Sequence, residues 1–447
     1  MSEPTQSSLP DMALRTFRGR SLRISARGAV LGSVASGLVG QAALVVTGIV
    51  TTRTLGPTDR GYLALIVLVP VVLMLVGTLG LPVATTYYIA SDPRREGSVR
   101  HAIRLPVVGQ VIVLTVLQAF ILWLLVSGDP KRVHWAAIAT LPLLAGALAD
   151  VYGKAILQGQ GRYTAFNILR NGAVGFYLVG VVALLAAGET GVVQFAIAWV
   201  AASMLAGVLT ASVALRHRPR PVSSEARVSR GELLRFGLRG YLVSLSPIAT
   251  FRLDQAVIGL FLAPRALGLY VAALSLTNLP DIIARGIGMI ALPQVARSED
   301  AHREQDMRRY LVFSIVLTGA VVLVLEILAG WLVPFFFGSE FEDAVVITRI
   351  LLLGTFFWGV RRVLTDMTSG SGRPGLGSLA ELISWLAVIP ALAVLMPLWG
   401  VEGVAAAMAI SSAASLVALL LLMRFHVRGP SEPALPERLG GVAEPVE

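Results

Sequence analysis

The 447-residue chain has no cysteine, which excludes disulfides and thiolate metal sites. It has two lysines, Lys131 and Lys154, and neither lies in a Gly-rich phosphate-cradling loop, so no nucleotide hydrolysis is expected of this chain. Its five histidines are scattered and fall mostly at loops, leaving no paired metal ligands. Charged residues make up 14% of the chain, against about 25% in a typical soluble domain. So few charges cannot cover the surface of a water-soluble protein of this size. The large polar loops in which a membrane glycosyltransferase or polymerase places its catalytic groups are missing too, so no enzyme is expected. A net charge of +10 could suggest a nucleic-acid partner, but the basic residues sit in short loops between apolar runs and read as topology signals.

Apolar residues, at 55%, fill the space instead. A bilayer core of about 30 Å needs about 20 apolar residues of helix to cross it. Twelve runs qualify: 29–52, 61–90, 105–127, 133–158, 163–187, 191–215, 241–262, 267–295, 310–337, 344–370, 376–398 and 403–423. Several, such as 61–90, 105–127 and 191–215, contain no charge and are apolar all round, and none shows the period of two of a membrane barrel, so the expected fold is an all-α polytopic membrane protein of twelve helices. With both termini cytoplasmic, only Arg53, Arg60, Lys131, Arg132 and Arg265 fall in outer loops, and most other Lys and Arg lie in inner ones. Trp123, Trp135, Trp331 and Trp399 then form an aromatic belt at the outer interface.

The chain repeats itself. Leu55-Gly56-Pro57 with Gly61-Tyr62 recurs as Leu262-Ala263-Pro264 with Gly268-Leu269-Tyr270, at an offset of 207. Leu81-Pro82 matches Leu292-Pro293, and Gly159-Gln160-Gly161-Arg162 matches Gly370-Ser371-Gly372-Arg373, both at 211. Gly191-Val192 matches Gly403-Val404 at 212. Each match occupies the same place in a six-span unit, so the spacing predicts two parallel six-helix repeats. The expected organisation is a basic cytoplasmic tail (1–28), an N-terminal lobe (29–215), a cytoplasmic linker (216–239), a C-terminal lobe (240–425) and a cytoplasmic tail (426–447). The linker opens with His217-Arg218-Pro219-Arg220-Pro221. It ends with Leu233, Leu234, Phe236 and Leu238 among Arg230, Arg235 and Arg239, a pattern fitting an interfacial helix on membrane lipids. The closing tail, rich in proline and glutamate, reads as disordered.

The spans themselves contain Asp150, Lys154, Arg170, Arg252, Asp254, Asp281, Arg285, Glu326, Arg349, Arg361, Arg362, Asp366 and Glu381. Each buried charge costs at least about 2.5–3.5 kcal/mol, so it needs a wet cavity or a partner. The pairs Asp150/Lys154, Asp281/Arg285 and Arg362/Asp366 are spaced to neutralise each other on one helix face. Arg252 and Asp254 lie two residues apart mid-span and face different directions. The excess is cationic and almost all arginine, whose planar fork holds phosphate oxygens bidentately. A lipid carrier with a pyrophosphate linker suits such a cavity. Arg252, Arg285, Arg361, Arg170 and Arg349 are its candidate substrate-binding residues.

Thr52-Arg53-Thr54-Leu55-Gly56-Pro57 with Gly61-Tyr62 resembles the signature after the first span of Wzx-type oligosaccharide flippases, in the multidrug/oligosaccharidyl-lipid/polysaccharide exporter superfamily. So do Leu253-Asp254 through Ala273, Phe337-Gly338-Ser339-Glu340-Phe341, and Trp399-Gly400-Val401-Glu402-Gly403 running into Ala407. The resemblance implies two lobes in a V around a central cavity, rocking to expose it alternately to each side. The implied substrate is an undecaprenyl-pyrophosphate-linked repeat unit for surface polysaccharide, moved from the cytoplasmic to the outer leaflet of the inner membrane. A polymerase and glycosyltransferases are the implied partners. No cofactor is implied beyond a proton or sodium gradient, with Asp254 as coupling residue. Multidrug relatives usually carry an acid on the first span, and residues 29–52 contain none. Lipid II flippases usually have additional spans and arginines within the first. A cation-coupled multidrug exporter and a lipid II flippase are therefore the alternatives.

Overall fold

The computed structural model describes residues 11–216, 227–243, 252–298, 300–373 and 375–426, all helix, turn or connecting coil. The expectations for residues 1–10, the polar run 217–221, the first half of the seventh span and the tail from 427 lie outside the described residues.

The first half comprises α1 (Asp11–Gly77), α2 (Leu81–Ser91), α3 (Glu96–Val126), α4 (Lys131–Ala139), α5 (Leu143–Gly159), α6 (Tyr163–Leu169), α7 (Gly172–Ala186) and α8 (Val192–Leu215). The connecting helix α9 (Arg230–Val243) follows. The second half comprises α10 (Leu253–Phe261), α11 (Pro264–Thr277), α12 (Leu279–Arg297), α13 (Asp300–Phe337), α14 (Ala344–Gly370) and α15 (Gly375–His426). Among the described residues, nine helical stretches are long and apolar enough to cross a membrane. Two of them fold back on themselves. α1 reverses at Gly56 (φ 70°) and α15 at Gly400 (φ 56°), backbone angles that only glycine adopts cheaply. Counting each as two gives eleven, and the seventh expected span lies partly outside the described residues, so the arrangement is consistent with twelve.

The duplication is visible in the backbone. Gly159 packs against Thr86 and Ile89 of α2, and Gly370, 211 residues on, packs against Leu292 of α12. Their companions Gly161 (φ 69°) and Gly372 (φ 80°) both make the left-handed turn that follows. The fourth span packs on the sixth through Gly146, Gly153 and Gly207, and the tenth packs on the twelfth through Gly354 against Ala409. Small residues allow this close approach where lipid gives helices no hydrophobic reason to associate. The buried clusters also divide by half. Their buried members mix across the halves at one place, where Leu65 of α1 joins Ile258, Leu267 and Tyr270.

Several spans expected to be continuous are broken, at Thr78–Gly80, Thr140–Pro142, Arg170–Asn171 and Asn278. A break frees backbone carbonyls that lipid cannot satisfy. Neighbouring side chains meet them. Gln118 Nε2 donates to the Thr140 carbonyl at 3.0 Å, Lys154 Nζ to the Arg170 carbonyl at 2.9 Å, and Ser36 Oγ to the Asn167 carbonyl at 2.7 Å. The four tryptophans of the expected belt, Trp123, Trp135, Trp331 and Trp399, are between 59% and 64% exposed.

In α9, Leu233 is buried and Phe236 stacks on Tyr87 of α2 at 4.5 Å, while Arg230, Leu234 and Arg235 are exposed. Its apolar side is thus used on the first half. Gly237 seats against the backbone of Leu79 and Gly80, at the break in the second span.

Candidate functional site

A cavity of about 220 Å³ lies between the two halves. α1 contributes Thr47 and Thr51 before its reversal, then Arg60, Ala64, Val67 and Val71 after it. The latter four recur at three- and four-residue intervals, one face of a helix. Tyr177 and Trp199 wall the same side, their rings edge to face at 4.6 Å. The second half contributes Arg252, Gln255 and Val271. Arg252 is exposed and has a left-handed backbone (φ 44°), just before α10 begins.

One end of this cavity is shut by backbone. A Cβ on Gly61 would overlap the Pro264 carbonyl oxygen, and a Cβ on Gly268 would overlap the Pro57 carbonyl oxygen. Both glycines and both prolines are 207 apart, so the contact is reciprocal between repeats. Arg53 Nη1 donates across the halves to the Phe335 carbonyl at 3.2 Å, and Glu340 Oε2 lies against Gly56. Flanking this closed end, Arg132 pairs with Asp59 at 3.0 Å in the first half and Arg265 with Asp343 at 3.1 Å in the second.

A second cavity, about 140 Å³, lies within the second half. Asp254 lines it, 6% exposed, and accepts a hydrogen bond from Tyr270 Oη at 2.8 Å. Asp281, Asn278, Thr355 and Ser412 join it there. Arg252 and Asp254 therefore do face different spaces. Among the described residues no group of three or more His, Asp or Glu is arranged to hold a metal ion.

The other candidate arginines are dispersed. Arg285 pairs with Asp281 on α12, as the i, i+4 spacing predicts, with Nε 2.7 Å from Oδ2. Arg361 is 5% exposed and turned into the second half, with Nη1 2.6 Å from Glu381 Oε2 and its guanidinium 4.4 Å from the ring centre of Trp358. Arg349 is exposed and lies against Gly330 of α13, beside Glu326. Arg170 is at the break between α6 and α7, its carbonyl held by Lys154, which also pairs with Asp150 at 2.5 Å. Of the five, Arg252 lines the cavity between the halves. Arg60 joins it, a residue read from the sequence as part of an outer loop. The reversal at Gly56–Pro57 takes almost no loop, so the second helix starts at Pro57 and Arg60 falls on its cavity face. The register Arg60, Ala64, Val67, Val71 carried that signal.

The family model described as polysaccharide biosynthesis protein matches residues 50–346, more than half of the chain. The chain belongs to this family. It is 27% identical over 171 residues to a probable low-salt glycan biosynthesis flippase, Agl15, of Haloferax volcanii. The match covers 37% of this chain and 36% of that relative, so it spans little more than a third of the relative's length. Among solved structures, the chain resembles the lipid II flippase MurJ in an inward closed conformation, with a TM-score of 0.67, 14% identity, and coverage of 88% of this chain and 87% of that one. It also resembles the inward-facing conformation of a multidrug resistance MATE family transporter, with a TM-score of 0.68, 17% identity, and coverage of 87% and 94%. For an outward-facing MATE conformation the TM-score is 0.56, at 18% identity and coverage of 89% and 95%. The fold is that of multi-pass flippases and exporters of the multidrug/oligosaccharidyl-lipid/polysaccharide superfamily.

Proposed function

We propose that this flippase-like transporter moves an undecaprenyl-pyrophosphate-linked oligosaccharide repeat unit from the cytoplasmic to the outer leaflet of the inner membrane. The observation that carries the reading is the cavity between the halves, which holds two arginines, Arg60 and Arg252, with no carboxylate within ion-pairing distance among the described residues. An unpaired guanidinium in a membrane interior calls for an anion, and a diphosphate offers oxygens in the spacing of its fork. Membership of a polysaccharide biosynthesis family supports the same substrate.

In this reading the halves are lobes, both termini are cytoplasmic, and the closed end faces outward. The cavity then opens to the leaflet where the lipid-linked unit is assembled by glycosyltransferases, and the product is handed to a polymerase outside. Asp254 is the proton- or sodium-coupling residue. Its carboxylate is within one lobe, beside polar groups from four other helices. Its protonation or cation occupancy can therefore bias packing inside that lobe without contact with the substrate.

The test is deletion of the gene followed by complementation. Surface polysaccharide is expected to disappear and to return with the wild-type gene, but not with Arg252→Ala or Asp254→Asn produced at equal level. Loss of cell shape with intact polysaccharide would replace the substrate by lipid II. Drug sensitivity with intact polysaccharide would replace it by cationic drugs.

A further inference from the structure

Arg60 touches three things at once. It lines the cavity between the halves. Its Nε donates to Thr52 Oγ1 at 3.1 Å, and Thr52 lies on the far side of the Gly56 reversal. The next residue is Gly61, whose Cα faces the Pro264 carbonyl in the reciprocal crossing. A single guanidinium thus ties together the two arms of α1 at the point where they meet the other half. Thr52 itself is fully buried, so this bond is made away from water.

The chemistry of the fork gives this tie a vulnerability. Arginine offers five N–H donors, and side-on recognition of a phosphate uses Nε together with one Nη. Nε is the donor already given to Thr52. An anionic group taking Arg60 side-on therefore has to displace the threonine hydroxyl, and a charged acceptor binds a guanidinium more strongly than a neutral hydroxyl does. Losing that bond frees one arm of α1 to turn relative to the other. The arm that turns carries Gly61. The crossing has no slack for it, because each glycine already seats on a proline carbonyl.

We propose that Arg60 is the ligand sensor of the closed end: a phosphate-bearing headgroup held by Arg60 displaces Thr52 and loosens the Gly61–Gly268 crossing. The proposal rests on the reading of the cavity as a site for a diphosphate-linked lipid. It adds the residue through which arrival of that group is passed to the outer seal.

The absence of cysteine makes the test direct. Full-length protein carrying Ala64→Cys, one helical turn along from Arg60 on the cavity face, is reconstituted in vesicles. It is labelled with a membrane-impermeant maleimide from the side of the closed end. Farnesyl diphosphate is the probe and farnesol the uncharged control. The diphosphate, and not farnesol, is expected to raise the labelling rate about tenfold, the scale of one charge-assisted hydrogen bond. Adding Arg60→Gln is expected to abolish the rise, and Arg60→Lys, which cannot bind side-on, to abolish it while keeping part of the binding. Gly61→Val is expected to give fast labelling without any probe, and Gly268→Val does the same should the first variant fold poorly. A full response in the Arg60→Gln protein overturns the proposal, while loss of binding in Arg252→Gln keeps the substrate reading alive. Slow labelling in both valine variants also overturns it. Failure of the parent to bind farnesyl diphosphate sinks the proposal and the substrate reading together.

Discussion

Arg361 packs its guanidinium over Trp358 and pairs with Glu381, at side-chain exposures of 6% and 21%. Arg361→Ala removes the guanidinium from the Glu381 carboxylate and from the Trp358 ring and is expected to destabilise by about 3–5 kcal/mol. Arg361→Met combined with Glu381→Leu removes both charges and is expected to recover most of that loss. Thermal unfolding in detergent, followed by tryptophan fluorescence, checks both variants. The positions of the intramembrane charges were legible in the sequence, and so were the local pairs Asp150–Lys154 and Asp281–Arg285. The Arg361–Glu381 pair was not, because its members lie 20 residues apart on different helices and helix rotation is set by packing. Arg362 and Asp366 show the same limit. They stand at the predicted spacing, yet the Asp366 carboxylate rests on Gly288 of α12.

The broken spans belong to the scale of the element. Hydropathy averaged over a bilayer's thickness does not register one missing backbone hydrogen bond. It therefore reads α4 with α5, and α6 with α7, as single crossings. Pro142 and Pro280 mark two of the breaks, whereas Arg170–Asn171 has no such mark. The clamps are more informative than the breaks. Gln118 is fully buried on α3 and reaches both the carbonyl and the hydroxyl of Thr140. Gln118→Leu preserves bulk but removes both bonds to Thr140, leaving its carbonyl to the Leu143 N–H alone, and is expected to cost about 1 kcal/mol, visible as a lower melting temperature. The connecting helix α9 was legible as an amphipathic segment. Its docking site was not, since it depends on Gly80 and Leu79 leaving helical geometry at the end of α1 (φ 70° and 50°).

Across the whole molecule, duplication was the most legible feature: motifs recur at offsets of 207 to 212, and at 211 Gly161 and Gly372 make turns of like geometry in the two halves. Which end of the cavity closes could not be read, since closure depends on how the halves approach rather than on either repeat alone. The repeat nonetheless makes a quantitative expectation. Gly161→Ala and Gly372→Ala each place a methyl on a left-handed residue with open space around it. Each is expected to cost about 1–2 kcal/mol, with nearly equal falls in melting temperature and no change in access to the cavity. Equal effects at 211 residues' separation would be the energetic counterpart of the structural repeat. Unequal ones would mean that the two turns share a shape but not a role.

Each half has two exposed indoles, Trp123 and Trp135 in one and Trp331 and Trp399 in the other, and the proposed orientation puts all four at the outer interface. Indoles favour the headgroup layer and resist leaving it in either direction. A half that leans about that depth keeps its pair in place, and its far end sweeps sideways through acyl chains. In the proposed transport cycle the work of rearrangement then falls on the lipids of a single monolayer, and the lateral pressure of that monolayer becomes a control on turnover.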